Sequence, residues 1–374
     1  MIQFEILHTS SRSRARAGRI HTAHGTIDTP TFVPVATHAA LKSVDAVLSP
    51  SLTIPLQFCN TYHLMLHPGD QVVAAAGGLH TFMRRSTPII TDSGGFQVFS
   101  LAYGSVYNEL KSKGVKKQDG SVLTITEEGV TFRSYRDGTT LLLTPESSIQ
   151  AQKNLGADII LPLDELPPYH TDPAILHTSL ERTHRWELRS LAEHQKNPRH
   201  QGIYAIIHGG IDPILRRFSA EFLAQHPFDG YAIGGSIGKD STEMVTMLAN
   251  LMPIIPTRMP IHLLGIGDIP SIAKTIPLGI DTFDSSYPSR SARHGVLFSR
   301  SGTVRIESTI HKTSFIPIDA ACSCIVCIQH TRAYIHHLFK AHELSAYTLA
   351  TIHNIQYMMD LMHMYRMQIL NNDL

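Results

Sequence analysis

The sequence predicts an α/β chain built around a (β/α)8 TIM barrel, and three observations carry that prediction. Eight short runs rich in Ile, Val and Leu recur at 31–37, 54–61, 88–95, 158–165, 203–210, 230–236, 261–267 and 281–286. Each ends in a polar residue or glycine. Continuous apolar runs mark strands buried on both faces, as in parallel sheets. Helical patterns fill most gaps between the runs. Eight strand–helix repeats point to a closed barrel; an open doubly wound sheet is the competing architecture.

Taken in order, residues 1–30 suggest a β-hairpin whose connection is the basic stretch Ser11-Arg12-Ser13-Arg14-Ala15-Arg16-Ala17-Gly18-Arg19. Arginines so closely spaced fit either phosphate contacts or a solvated turn. The barrel is expected over 31–300. The gap after Gly95 is too long for one crossover helix. Within it, 121–126, 129–135 and 139–144 alternate like antiparallel strands, and Asp137-Gly138 is a hairpin signal, so a β-meander is inserted at about 97–144. Thr144 can cap the next helix, Pro145 suits its first position, and Gly156 ends it. Residues 301–374 hold a short β-like stretch at 303–306, a cysteine cluster and two helical segments. In the last segment Leu349, Ile352, Ile355, Met359 and Met362 recur at helical spacing and predict a core face.

The 374 residues are 43% hydrophobic and 17% charged, with 32 basic against 31 acidic side chains. That balance neither requires nor excludes a nucleic-acid partner, because a basic patch can hide in a neutral total. No apolar run is long enough for a bilayer, and the first residues lack the layout of a signal peptide. The reading is a cytoplasmic protein without a membrane partner.

Three of the four cysteines lie in Cys322-Ser323-Cys324-Ile325-Val326-Cys327. Soft thiolates spaced this closely suit one zinc ion, Zn2+, better than a disulfide framework. A chance cluster of buried thiols is the bland alternative. A fourth ligand would come from the histidine-rich tail, where spacing alone does not choose among His330, His336, His337, His342 and His353.

Active sites of such barrels form at the carboxyl ends of the strands. Three runs place a carboxylate there: Asp92, Asp164 and Asp284. A single aspartate is more often a helix cap, but three on one rim form a constellation. Beside Asp92, Ser93-Gly94-Gly95-Phe96 sets glycines for close backbone approach next to an aromatic face for a planar ring. Gly209-Gly210 and Gly234-Gly235 repeat the glycine feature. Past Asp284, Ser289-Arg290-Ser291-Ala292-Arg293 supplies two forked cations able to neutralise phosphate or read a guanine edge. Together these suggest chemistry at the sugar–base bond of a nucleic acid, with one carboxylate as nucleophile and a second as acid.

The chain resembles the bacterial tRNA-guanine transglycosylases over nearly its whole length. The matching stretches are Ala17-Gly18, His24-Gly25, Thr29-Pro30-Thr31-Phe32, Asn60-Thr61-Tyr62-His63-Leu64, Asp92 to Val98, Gly230 to Gly235, Phe283-Asp284, the three cysteines and Thr351-Ile352-His353-Asn354. The resemblance implies exchange of guanine at wobble position 34 of GUN-anticodon tRNAs for a free 7-deazaguanine, preQ1 or queuine. It assigns Asp284 as nucleophile and Asp92 as proton donor and acceptor. Asp164, Ser93, Gly94, Gly95, His208 and Gly235 would hold the base, with Phe96 and Leu264 on its faces. Gly265-Ile266-Gly267-Asp268-Ile269-Pro270-Ser271 and Ser289-Arg290-Ser291-Ala292-Arg293 would contact tRNA. It selects His353 as the fourth ligand of a structural zinc and implies a homodimer.

Three departures bear on the substrate. His208 stands where the family usually has Gln, and Leu166 where preQ1-using relatives commonly have Cys. Lys239 occupies a shortened loop where a Glu usually supports the aminomethyl group of preQ1. A cation repels that ammonium, so acceptance of queuine itself is the hypothesis, with preQ1 the alternative left open. Two other classes compete: a catalytically silent tRNA-binding subunit, and a hydrolase whose zinc keeps an open coordination position.

Overall fold

A computed structural model describes residues 2–45, 52–103 and 122–374. The first three strands, β1 (Gln3–Thr9), β2 (Arg16–Thr22) and β3 (Gly25–Thr29), form an antiparallel sheet in that order. This is one strand more than the expected hairpin, and the basic connection is correspondingly shorter. Arg16 to Arg19 belong to β2, because Gly18 and Ala17 pair with Ile6 and His8 of β1.

The barrel strands are β4 (Thr31–Pro34), β5 (Gln57–Cys59) and β6 (Ile89–Thr91), then, after the insertion, β10 (Ile159–Ile160), β11 (Gly202–Ile207), β12 (Gly230–Ile233), β13 (Ile261–Leu263) and β14 (Thr282–Ser285). The insertion contributes β7 (Val122–Ile125), β8 (Val130–Arg133) and β9 (Thr140–Leu143), an antiparallel meander. Residues 104–121 of the insertion lie outside the described residues. The barrel order is β4-β14-β13-β12-β11-β10-β6-β5, parallel throughout. A parallel bridge between Val35 and Phe58 joins its two ends, with Ala36 N donating to Phe58 O at 2.7 Å. The sheet therefore closes as a (β/α)8 barrel. Every predicted run carries a strand, and its last residue leaves the ladder, although in the final run Asp284 and Ser285 still pair with Val33 and Pro34.

The helix Pro145–Leu155 starts and stops where its sequence signals stand. Thr144 and Ser147 cap each other reciprocally, and Gly156 turns the chain at φ 73°. Past the barrel, β15 (Val296–Ser299) and β16 (Gly302–Arg305) pair as a hairpin. Its first strand is absent from the sequence reading, which has only the stretch at 303–306. Three helices follow rather than two, Ile325–Gln329, Arg332–Lys340 and Leu344–Leu370. The extra one is a short turn begun by the cysteines themselves. Ile352, Ile355 and Met362 of the expected stripe are buried, and the long helix packs on β2, β4, β15 and the helix Tyr287–Arg293. Among the described residues no helix is long and apolar enough to cross a membrane.

One buried ion pair ties the first sheet to the barrel. Arg16 lies across Asp281, with Nε and Nη2 at 3.0 and 2.5 Å from its two carboxylate oxygens, and Nη2 also donates to Met259 O at 2.7 Å. Of the readings for the basic connection, neither phosphate contact nor a solvated turn describes this side chain. Asp281 in turn accepts from Ile261 N at 2.7 Å, at the start of β13. Removing one partner of a fully desolvated pair strands the other charge. Arg16→Ala is expected to cost about 3–5 kcal/mol in urea unfolding; a loss below about 1 kcal/mol, the range of exposed pairs, would contradict this role.

Candidate active site and metal centre

Parallel closure sends every strand end to one rim, so the candidate residues meet although they span most of the chain. Going round the sheet, Asp92 follows β6, Asp164 lies past β10, His208 follows β11, Gly235 follows β12, Leu264 and Gly265 follow β13, and Asp284 lies in β14. These are six consecutive barrel strands.

Asp92 is buried and fully clamped. Its Oδ1 accepts from Thr61 N at 2.7 Å, and its Oδ2 accepts from Asn60 Nδ2 at 2.7 Å and Gln97 Nε2 at 2.8 Å. Burial nevertheless pushes the carboxyl up to about 6. The three hydrogen bonds oppose that rise, and the charge of Asp284 adds to it. Loss of hydration outweighs the donors here, because the charged form has no bulk water to lean on.

Asp284 is arranged differently. Its Oδ1 accepts from His262 Nε2 at 3.0 Å and from Gly265 N at 2.9 Å. Among the described residues no hydrogen bond to Oδ2 is present. One oxygen is pinned and the other is left for a reaction partner.

Asp164 bridges neighbouring strands, accepting from Ser93 Oγ at 3.2 Å and from His208 Nε2 at 2.9 Å. Gly95 is needed for this approach, since a Cβ there would stand 2.9 Å from Asp164 O. Gly235 has φ +74°, and a Cβ would stand 2.8 Å from His208 Nδ1. Beyond His208 and Gly235 opens a cavity of about 360 Å³, lined also by Glu165, Tyr169, Leu176 and Ser236. On its outer side Glu243 accepts from Tyr169 Oη and from Lys239 N, both at 2.8 Å. Lys239 itself is exposed, and Leu166 packs against Leu163 and its neighbours rather than into this cavity.

Phe96 is 48% exposed at the rim, a free aromatic face, whereas Leu264 is half-buried against the barrel core. Gly265 and Pro270 are exposed, and Asp268 caps the helix Ile269–Thr275 by accepting from Ser271 N at 3.0 Å. Gly267 is forced by close packing, since a Cβ would collide with Ser285. In the helix Tyr287–Arg293, Arg290 faces solvent, Ser291 and Arg293 are half-buried, and Ser289 and Ala292 point inward.

The cysteine cluster converges as expected. Sγ of Cys322, Cys324 and Cys327 lie 3.8, 3.5 and 3.3 Å from His353 Nδ1. A tetrahedral ion with ordinary metal–sulfur and metal–nitrogen bonds sets such edges at roughly 3.5 Å. His353 Nε2 donates to Phe298 O at 2.7 Å, which leaves Nδ1 bare toward the sulfurs. The four residues can hold a metal ion. His330, His336, His337 and His342 lie outside the cluster.

Sequence reasoning assigned no role to Asn60, Gln97 or His262. Asn60 directly follows β5 in the second run, as Asp92 directly follows β6 in the third, and that parallel was the available signal. His262 is the one imidazole inside an otherwise apolar strand, on the same face as Leu264 two residues on.

The chain matches the family model described as queuine tRNA-ribosyltransferase over residues 11–374. It is 59% identical to the queuine tRNA-ribosyltransferase of Protochlamydia amoebophila over 367 residues, covering 98% of this chain and 95% of that one. It is 54% identical to that of Chlamydia caviae over 374 residues, the full length of both, and 52% identical to that of Chlamydia pneumoniae, again over both full lengths. The chain is an enzyme of the queuine tRNA-ribosyltransferase family, the tRNA-guanine transglycosylases.

Proposed function

We propose that this enzyme exchanges guanine at position 34 of tRNAs with GUN anticodons, those for aspartate, asparagine, histidine and tyrosine, through a covalent ribosyl-aspartate intermediate. The observation that carries the reading is the contrast between two rim carboxylates. Asp284 has one pinned and one open oxygen, and Asp92 is a buried acid pushed up to about 6.

In the first half-reaction Asp284 Oδ2 bonds to C1′ of the ribose as the C1′–N9 bond breaks. The bonding electrons leave with guanine, and protonated Asp92 supplies the proton that neutralises it. In the second half, the incoming base loses its N9 proton to Asp92, N9 attacks C1′, and the carboxylate leaves. Two inversions give net retention. Position 34 lies in a single-stranded loop, where extracting a base costs least.

Asp164, Ser93, Gly94, Gly95, His208 and Gly235 form the base cradle, with Phe96 and Leu264 on the two faces. The 265–271 loop and Arg290, Ser291 and Arg293 contact tRNA. Inward-facing Ser289 and Ala292 hold that helix against the barrel. The base is a 7-deazaguanine, and queuine is favoured over preQ1. The cavity beyond His208 gives a bulky substituent room, and Glu243 is already engaged by Tyr169 and the Lys239 amide.

The cysteine–histidine site holds zinc. Four protein ligands leave no position for water, so the metal is structural and the hydrolase reading loses its chemistry. It ties the last helix to the β15–β16 hairpin at Phe298. Nearby, Ile310, Phe315, Ile316 and Ile328 are all more than half exposed. Such an apolar surface supports docking of a second copy as a homodimer. The protein acts in the cytoplasm, where its tRNA substrates are.

Base exchange on a GUN-anticodon transcript tests the whole reading. Guanine release with queuine is expected to exceed that with preQ1 by at least about tenfold, roughly 1.4 kcal/mol of discrimination. Faster preQ1 insertion overturns the base choice, and no exchange with either base supports the silent-subunit reading.

The same assay has a pH signature. Asp92 must be protonated to release guanine, so single-turnover release should fall about tenfold per unit as pH rises above about 6, and level off below. A profile flat from pH 5 to 8 contradicts the acid role. For the metal, His353→Ala should lower zinc content from one per chain to near zero by elemental analysis; unchanged zinc rejects this ligand set.

A further inference from the structure

We propose that His262 is the positioning residue of the nucleophile, an imidazole whose Nε2 fixes which oxygen of Asp284 attacks. The inference rests on Asp284 being the nucleophile and goes beyond it by assigning a group that is never in contact with the base.

The register of two neighbouring strands places it. His262 of β13 pairs directly with Thr282 of β14. Strand side chains alternate faces, so His262 and Thr282 share the inward face with Leu264 and Asp284, one layer deeper in the barrel. His262 is completely buried and lies flat over Phe58, with ring centroids 6.1 Å apart.

Both of its nitrogens are engaged. Nε2 lies 3.0 Å from Asp284 Oδ1, and Nδ1 lies 2.7 Å from Thr282 Oγ1. A carboxylate oxygen only accepts, so Nε2 carries the hydrogen. Nδ1 then accepts from the Thr282 hydroxyl. The carboxylate thus sets which nitrogen carries the hydrogen, and the Thr282 hydroxyl holds the ring at the angle that aims it at Oδ1.

Gly265 N–H reaches the same Oδ1 at 2.9 Å. Two donors converging on one oxygen stop the carboxylate from rotating and present Oδ2 to the open rim. They also have a second use. Once Oδ2 is esterified, Oδ1 is the ester carbonyl oxygen, and donors already aimed at it stabilise the carboxylate that departs in the second half-reaction. Both half-reactions therefore depend on His262, although it touches no substrate.

Three variants test this. His262→Phe keeps a ring and removes both nitrogens. Its kcat should fall about 10- to 100-fold, the scale of a misplaced reacting atom, while KM for the base and for tRNA stays within about twofold. His262→Gln restores a donor near the Nε2 position and should recover to within about tenfold of the parent. Undiminished kcat in His262→Phe overturns the proposal. So does a loss that His262→Gln fails to relieve, since the ring would then act by packing alone. Should His262→Phe not fold, Thr282→Val carries the test. It keeps the imidazole and removes the hydroxyl that anchors Nδ1, so kcat should drop several-fold; an unchanged rate overturns the proposal. Asp284→Ala separates the two levels. If it still traps ribose on the protein, the nucleophile assignment falls; if it traps none while His262→Phe runs at full rate, only the positioning role falls.

Discussion

Parallel pairing of eight strands around a closed ring is the constraint on which the rest depends. Each strand contributes only two to six residues to the ladder, yet closure through Val35 and Phe58 sends all eight carboxyl ends to one rim. Residues separated by nearly two hundred positions become neighbours without any loop having to reach across. Hydrogen bonds then stitch the rim laterally. Ser93 and His208 both donate to Asp164, and His262 and Gly265 both donate to Asp284. The Arg16–Asp281 pair serves the opposite end of β14, locking the amino-terminal sheet onto the strand that carries Asp284.

Two carboxylates of one residue type receive opposite treatment at this rim. Asp92 is taken wholly out of water, and three donors do not offset that loss, so its proton is held until pH about 6. Asp284 keeps one oxygen uncommitted. Environments that differentiate paired acids are the general route by which acid and nucleophile roles separate. The assignment here follows from which oxygens are already spoken for.

Much of this was legible in the amino-acid order. Apolar runs ending in polar residues located every barrel strand, because strands buried on both faces cannot carry charge until they leave the sheet. Asp92 and Asp164 were visible for the same reason, and Asp284 because it stands at the carboxyl end of the last run, still paired with Val33. What stayed hidden depended on pairing between distant segments. The third strand of the first sheet and the partner of Thr303 needed a register that no local pattern specifies. Arg16 read as surface charge because its counterion lies 265 positions away. His262 was overlooked inside a strand, where an imidazole signals only that some partner must exist. The choice of His353 among five candidate histidines came from a matching motif, and the Phe298 carbonyl that orients it could not be seen in sequence.

In the function proposed for this enzyme, the cysteine cluster so conspicuous in the sequence serves as scaffolding and the chemistry rests on Asp284. The most direct measurement incubates the enzyme with a GUN-anticodon tRNA in the absence of an incoming base, quenches it, digests protein and RNA, and maps the ribose-bearing peptide by mass spectrometry. The account predicts a ribosyl ester on Asp284. An adduct on Asp92, or efficient guanine release with no covalent species at any time point, would contradict it.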